Sequence, residues 1–239
     1  MKLRHITITG VDQLTEIDGL QELQEKFPWA EFGILFSKHW QQNGQRYPNP
    51  AELLPDLADR GLHLSAHICG SMAREIVCTN IWQPFCELIE YYNFLFDRVQ
   101  LNIASMSFPG IQSSPLSTPS FCKELIIQQR NTMEIDVYKA MANKRNYVSI
   151  LFDQSGGRGI GLNKSNLNLN PFIKAGYAGG INADNVADTL IHLFKKANHP
   201  FWIDVESGVR TRDYLDLEKV YKLLSNAKEV IDNCEYIFE

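Results

Sequence analysis

The sequence predicts an α/β fold: a closed (β/α)8 TIM barrel forming a single domain over residues 1–239. Three observations predict it. Strand-like and helix-like segments alternate along the whole chain. Eight strand-like runs fit within 239 residues, close to the size of about 250 residues that such a barrel needs. Near the C-terminal end, three evenly spaced pieces each read as a short apolar strand finishing in polar or glycine residues: YVSILFDQSGGRG, GYAGGINADNV and FWIDVESGV. An open doubly wound sheet is the alternative that a strand count leaves standing.

The elements follow in order. His5 to Thr9 reads as the first strand, and Gln13 to Lys26 as a helix, with Leu14, Ile17, Leu20 and Leu23 at helical spacing. Asp12, after the Gly10 turn, reads as its cap. Phe32 to Phe36 is the second strand, and Pro50 to Arg60 a helix with proline in its first turn. Leu62 to Cys69 is the third strand. Ala73 to Ala104 holds helical material and the fourth strand, Arg98 to Ile103. Leu125 to Gln129 is the fifth, Asp136 to Asn143 a helix, and Tyr147 to Phe152 the sixth. Ile160 to Pro171 reads as a long loop suited to be a lid. Ala175 to Ala178 is the seventh strand, Ala183 to Ala197 a helix, Phe201 to Val205 the eighth strand and Leu217 to Val230 the last helix.

Alternation within the strands sorts their faces. In the third, Leu62, Leu64, Ala66 and Ile68 oppose His63, Ser65, His67 and Cys69. In the first, Ile6 and Ile8 oppose His5, Thr7 and Thr9. In the fourth, Val99, Leu101 and Ile103 oppose Arg98, Gln100 and Asn102. The outer face of a parallel barrel packs on helices and must be apolar, so the polar sets point inward, where branched aliphatics usually dominate. A polar structural layer accounts for most of these residues. The last of each row, Thr9, Cys69 and Asn102, would reach the barrel mouth.

Composition narrows the function classes. Hydrophobic residues make up 44% of the chain and charged residues 21%, an ordinary globular balance. A net charge of −5 argues against a broad nucleic-acid surface but permits a focused anion pocket. The five cysteines are irregularly spaced without a C-x-x-C pair, which argues against disulfide and zinc frameworks. The N-terminal MKLRHITITG is too short and polar for a signal peptide. No apolar stretch approaches the length of about 20 residues that spans a bilayer, so a cytoplasmic protein without membrane contact is expected. The triplet Asn163-Lys164-Ser165 is read as chance.

Chemistry concentrates at the strand ends. Asp153 ends the sixth strand and reads as a general acid, a role that requires burial to raise its pKa. Gly179 and Gly180 permit close backbone approach, and helix-start amides near Asn182 to Asn185 can face an anion. Ser207 and Gly208 supply the opposite side, matching the phosphate site common after strands seven and eight. The partner implied is a phosphorylated small molecule. A G-x-G within GGRGIG lacks the full dinucleotide fingerprint. His5, His67 and Cys69 lack metal-ligand spacing. Asp204 and Glu206 share one face of the last strand and read as a charge pair with an interior cation.

With these motifs placed, the chain resembles the phosphoribosylanthranilate isomerase family, weakly over most of its length and strongly after residue 147. LFDQSGGRG resembles that family's strand ending in aspartate and a glycine turn. GGINADNV and DVESGV resemble its two later motifs, and TITGV its opening strand and turn. GILFSKHWQQNGQRYPNP resembles its second strand and Ser-x-Arg-Tyr loop, with an insertion. The resemblance implies a (β/α)8 barrel, an Amadori rearrangement in tryptophan biosynthesis, no cofactor, and a monomer or homodimer. It implies Asp153 as the acid and Arg46 as the binder of a substrate carboxylate. It implies the general base at Thr9, where the family has cysteine. A threonine hydroxyl has no acid–base equilibrium near neutrality, so either another group, such as Cys69 or His67, takes the proton, or the protein does something else. Arg158 stands where the family has a small residue and would hold a second anionic group. The alternatives are a non-catalytic phosphometabolite-binding barrel, or a lyase or epimerase on the same scaffold.

Overall fold

The computed structural model describes residues 2–38, 40, 46–103, 118–129, 147–153 and 174–233. Arg158, the loop Ile160 to Pro171, the helix expected at Asp136 to Asn143 and the triplet Asn163-Lys164-Ser165 lie outside the described residues. Eight parallel strands close a barrel in sequence order, with the last pairing the first. They are β1 (Leu3–Thr9), β2 (Ala30–Phe36), β3 (Leu64–Cys69), β4 (Phe96–Asn102), β5 (Glu124–Gln129), β6 (Val148–Asp153), β7 (Ala175–Ala178) and β8 (Phe201–Val205). Closure removes the open-sheet alternative, because no barrel strand keeps a free edge.

Outward residues follow the alternation. Ile6, Ile8, Phe32, Ile34, Ala66, Ile68, Val99 and Leu101 are wholly buried in one core with the helices. Fully burying an aliphatic or aromatic side chain of this size contributes about 1.5–3 kcal/mol. The helices are α1 (Ile17–Lys26), α2 (Pro50–Leu57), α3 (Gly70–Thr79), α4 (Gln83–Ile89), α5 (Val186–Lys196) and α6 (Leu217–Asp232). Helix α2 starts where proline pre-sets the first turn, and Asn49 accepts a hydrogen bond from the Ala51 amide.

The start of α1 departs from expectation. Asp12 does not cap it. Its Oδ1 accepts from the Leu14 amide and the Thr15 hydroxyl, folding residues 12–15 into a turn. Its Oδ2 accepts from the Leu215 amide, tying that turn to a short hairpin, β9 (Arg210–Thr211) with β10 (Tyr214–Leu215), which the sequence reading did not foresee. Leu14 is therefore exposed rather than part of a helical stripe.

The barrel interior is not mainly aliphatic. Towards the N-terminal end of the strands, Arg98 donates to both oxygens of Glu31 and to Glu124 at 3.0 Å. Arg4 adds a two-point pair with Glu124 at 2.8 Å each. Thr7 donates to Glu31, and Ser149 to Glu124. The Arg98 guanidinium lies 4.8 Å from the centre of the Trp202 ring, a cation–π contact. Gly176 makes room for that indole, which a side chain at 176 would strike. Above this charged floor, Ile126, Leu151, Ala178 and Trp202 form a small apolar cluster. Among the described residues, no helix is long and apolar enough to cross a membrane.

Candidate active site

Parallel strands in a closed barrel end on one rim, so residues far apart in sequence meet there. One cavity at this rim is lined by His67, Asn102 and Asp153, by the turn 178–181, and by residues 204–207. The aspartate and both glycine turns therefore share one mouth. Asp153 is buried, and its Oδ2 accepts from Gln128 Nε2 at 2.8 Å. Gly179 and Gly180 adopt φ of 118° and 59°, a left-handed region that penalises side chains. A side chain at Gly208 would strike the Ile181 carbonyl, so the two turns pack against each other.

The helix-start amides expected to face an anion are largely committed elsewhere. The Asn182 amide donates to Asn185 Oδ1 and the Asp184 amide to Asn182 Oδ1, both at 2.9 Å. Those of Asn185 and Val186 donate to the Asn182 carbonyl. The Asn-x-x-Asn spacing thus builds the turn's shape, and Asn185 Nδ2 closes it on the Gly180 carbonyl at 2.8 Å.

Thr9 reaches the mouth through a partner. Its hydroxyl donates to Asp204 Oδ1 at 2.6 Å. Gln100 Nε2 lies 3.4 Å from Asp204 Oδ2 and 2.9 Å from Asn102 Oδ1. Gly33 makes this packing possible, since a Cβ there would lie 2.7 Å from the Thr9 hydroxyl and 3.0 Å from His67 Nε2. Asp204 therefore has hydroxyl and amide partners rather than the interior cation expected for it. Burial pushes its carboxyl up to about 7; Thr9 opposes the rise, while the neighbouring Glu206 and Asp153 charges add to it. Glu206 does meet a cation, pairing with Arg46. Burial still raises the Glu206 carboxyl above its usual range, against the pull of Arg46 and Arg210.

His67 and Cys69 are poorly suited to proton abstraction. Burial lowers His67 to about 4, so near neutrality its ring is uncharged and its 4.0 Å approach to Asp204 is no ion pair. Its Nε2 lies 3.1 Å from the Ser65 hydroxyl and its Nδ1 3.3 Å from Gln100 Nε2. A neutral Nε2–H tautomer satisfies both contacts. Burial pushes the Cys69 thiol up to about 12, so it is not a thiolate at neutral pH. Its Sγ donates to the His67 carbonyl at 3.5 Å and accepts from Asn102 Nδ2 at 3.4 Å. Among the described residues, no group of three or more His, Cys, Asp or Glu is arranged to hold a metal ion.

Sequence reasoning did not single out Gln128, or Asp204 as the partner of Thr9. Both follow the inward alternation of their strands, which was the available signal. Arg46 is brought beside the mouth by its pair with Glu206.

Residues 119–226 match the family model of N-(5′-phosphoribosyl)anthranilate isomerase. A curated N-(5′-phosphoribosyl)anthranilate isomerase of Bacillus cereus strain AH187 is 33% identical over 106 residues, which are 41% of this chain and 48% of the relative. The protein of strain Q1 matches to the same extent. The chain thus spans about half the length of the curated relatives it matches. Among solved structures, phosphoribosyl anthranilate isomerase from Thermotoga maritima superposes with a TM-score of 0.57 at 18% identity, covering 94% of this chain and 98% of that one. TrpF from Jonesia denitrificans superposes with a TM-score of 0.59 at 14% identity, covering 95% and 98%. A phosphoribosyl anthranilate isomerase in complex with reduced 1-(o-carboxyphenylamino)-1-deoxyribulose 5-phosphate superposes at 0.54 with 18% identity, covering 94% and 98%. The family model and the curated relatives each match less than half of the chain, and the solved structures share its barrel fold.

The comparisons cover different shares of the chain. At such low identity the structural likenesses carry the barrel fold and nothing finer. The family-model match contains β5 to β8, and so Asp153 and both glycine turns. It stops short of Thr9, Arg46, His67 and Cys69.

Proposed function

We propose that the chain, folded as one barrel domain, is an isomerase of phosphorylated sugars of the phosphoribosylanthranilate isomerase type, working in tryptophan biosynthesis and diverged at the general-base position. The observation that supports this reading best is the meeting of Asp153 with two mutually packed glycine turns at one mouth. Amides of the turns, at Gly180 and at Ser207–Gly208, hold the phosphate, because the amides at the start of α5 are engaged with Asn182 and Asn185. Asn102 lines the same mouth and contacts the sugar. Arg46, paired with Glu206, exchanges part of that pairing for a substrate carboxylate.

The chemistry starts when Asp153 protonates the furanose ring oxygen. The C1–O bond breaks as the amine lone pair forms a C1=N iminium. A base then removes the C2 proton, and the C–H electrons form C1=C2 as the C=N electrons return to nitrogen. The resulting enolamine tautomerises to the aminoketose. A positioned acid or base contributes about 10²–10⁴-fold to such steps.

The test is incubation of the purified protein with freshly generated phosphoribosylanthranilate. Conversion to the carboxyphenylamino-deoxyribulose phosphate, lost on Asp153→Asn, supports the reading. Tight binding of the reduced product without any turnover would instead support a phosphometabolite-binding barrel. Absence of both would end it.

A further inference from the structure

We infer that Asp204 is the group that takes the C2 proton, with Thr9 as the positioning residue that holds its carboxylate. This rests on the isomerase reading above and names a residue that the reading leaves open. The position to which the resemblance gives a basic thiolate carries a hydroxyl here; Thr9 Oγ1 lies 3.4 Å from His67 Nδ1, and it donates to the nearer acceptor, Asp204 Oδ1, at 2.6 Å. A carboxylate thus stands directly beside the missing thiolate, one strand over, since β8 pairs β1. Among the described residues, its other oxygen, Oδ2, has a long contact from Gln100 at 3.4 Å and the uncharged His67 Nδ1 at 4.0 Å, which leaves it able to accept a proton. Asp204 lines the same cavity as Asp153, at the ends of β8 and β6, so base and acid face one substrate volume.

The other candidate bases near that volume are engaged in ways that disqualify them. Cys69 is a buried thiol held by the His67 carbonyl and Asn102. The His67 ring is fixed between Ser65 and Gln100. Glu206, just past the end of β8, is paired with Arg46. A carboxylate whose proton affinity is raised to about 7, chiefly by burial, is also a stronger base than an exposed aspartate, and a base matched to neutral pH is the efficient one. The step balances without a co-reactant: the C2–H bond breaks, an O–H bond forms on Asp204, and the electron pair moves into C1=C2.

The experiment compares the wild type with Asp204→Asn, Asp204→Glu, Thr9→Val and Thr9→Ser, using phosphoribosylanthranilate and, separately, binding of the reduced product analogue. Expected are a wild-type kcat/KM with a limb that rises through about pH 7, and loss of at least about 10²-fold in kcat for Asp204→Asn with analogue binding kept. Asp204→Glu should retain part of the rate. Thr9→Val should move the rising limb to higher pH, and Thr9→Ser should return it. Turnover by Asp204→Asn within tenfold of wild type, or a rising limb that survives in it, overturns the assignment of the base while leaving the isomerase reading intact. A wild type that does not turn over removes both.

Discussion

Replacing Arg98 with methionine tests the electrostatic floor of the barrel. Arg98 is buried and, among the described residues, supplies the charged hydrogen bonds that Glu31 receives, leaving it the Thr7 hydroxyl once Arg98 is gone. Glu124 is better protected, because Arg4 and Ser149 still reach it. The loss is therefore chiefly one buried, uncompensated carboxylate, which costs about 3–5 kcal/mol at pH 7. The pH dependence gives the sharper signature. In the wild type, burial opposes but Arg98 prevails, so Glu31 sits below its usual range, and Glu124 is likewise held down, at about 2. Carboxyls with depressed folded pKa values contribute stability that is present above about pH 4.5 and is lost as pH falls through the folded values. In Arg98→Met, burial acts on Glu31 without its cation, so its folded pKa rises above the unfolded one. That variant should gain stability relative to wild type as pH falls from 7 to 5, by up to about 1.4 kcal/mol per pH unit. Urea denaturation of both proteins at pH 5, 6 and 7 measures this, and Arg98→Met combined with Glu31→Gln should abolish the extra slope. A destabilisation under about 1 kcal/mol at pH 7, with parallel pH curves, would refute the account of the floor.

Three further outcomes are expected. Asp204 has a folded pKa of about 7 against 3.8, so its ionisation costs stability progressively as pH rises through that interval; Asp204→Asn should gain about 4 kcal/mol relative to wild type between pH 4 and pH 8 in denaturant titrations. Gly208→Ala drives a methyl into the Ile181 carbonyl, so calorimetry should show phosphate or product-analogue affinity falling at least tenfold, with an overpacking cost of about 1–3 kcal/mol in stability. Cys69→Ala should keep kcat well clear of the 10²–10⁴-fold loss that removal of a base causes, because the thiol at about 12 is not the proton acceptor; a loss of that size in steady-state assays would reinstate it.

The barrel was legible because its strands obey a period of two. Ala175–Ala178 and Phe201–Val205 were read to the residue, and the other strand ends lie within two residues of those observed. The gathering of Asp153 with both glycine turns followed from where those strands stop. What the sequence hid was partnership across the barrel. Asp204 looked like half of a charge pair, because nothing in DVESGV reveals that Thr9, almost two hundred residues earlier, donates to it. Glu31 and Glu124 sit among apolar residues as the inward members of AEFGILF and ELIIQQ, yet their common cation, Arg98, lies on another strand. Asp12 reads as a helix cap because Leu215, which claims one of its carboxylate oxygens, is brought to it only by the folded hairpin. Local pattern fixes which face a residue takes, whereas its hydrogen-bond partner is a property of the closed sheet.

The proposed function places a phosphorylated sugar at one rim, between a proton donor and the turns after β7 and β8. A crystal structure with the reduced aminoketose phosphate bound tests it most directly. The phosphate should lie against the backbone of Gly179–Gly180 and Ser207–Gly208, with the sugar carbons between the carboxyls of Asp153 and Asp204. A phosphate bound elsewhere on the barrel, or a sugar out of reach of both carboxyls, would contradict it.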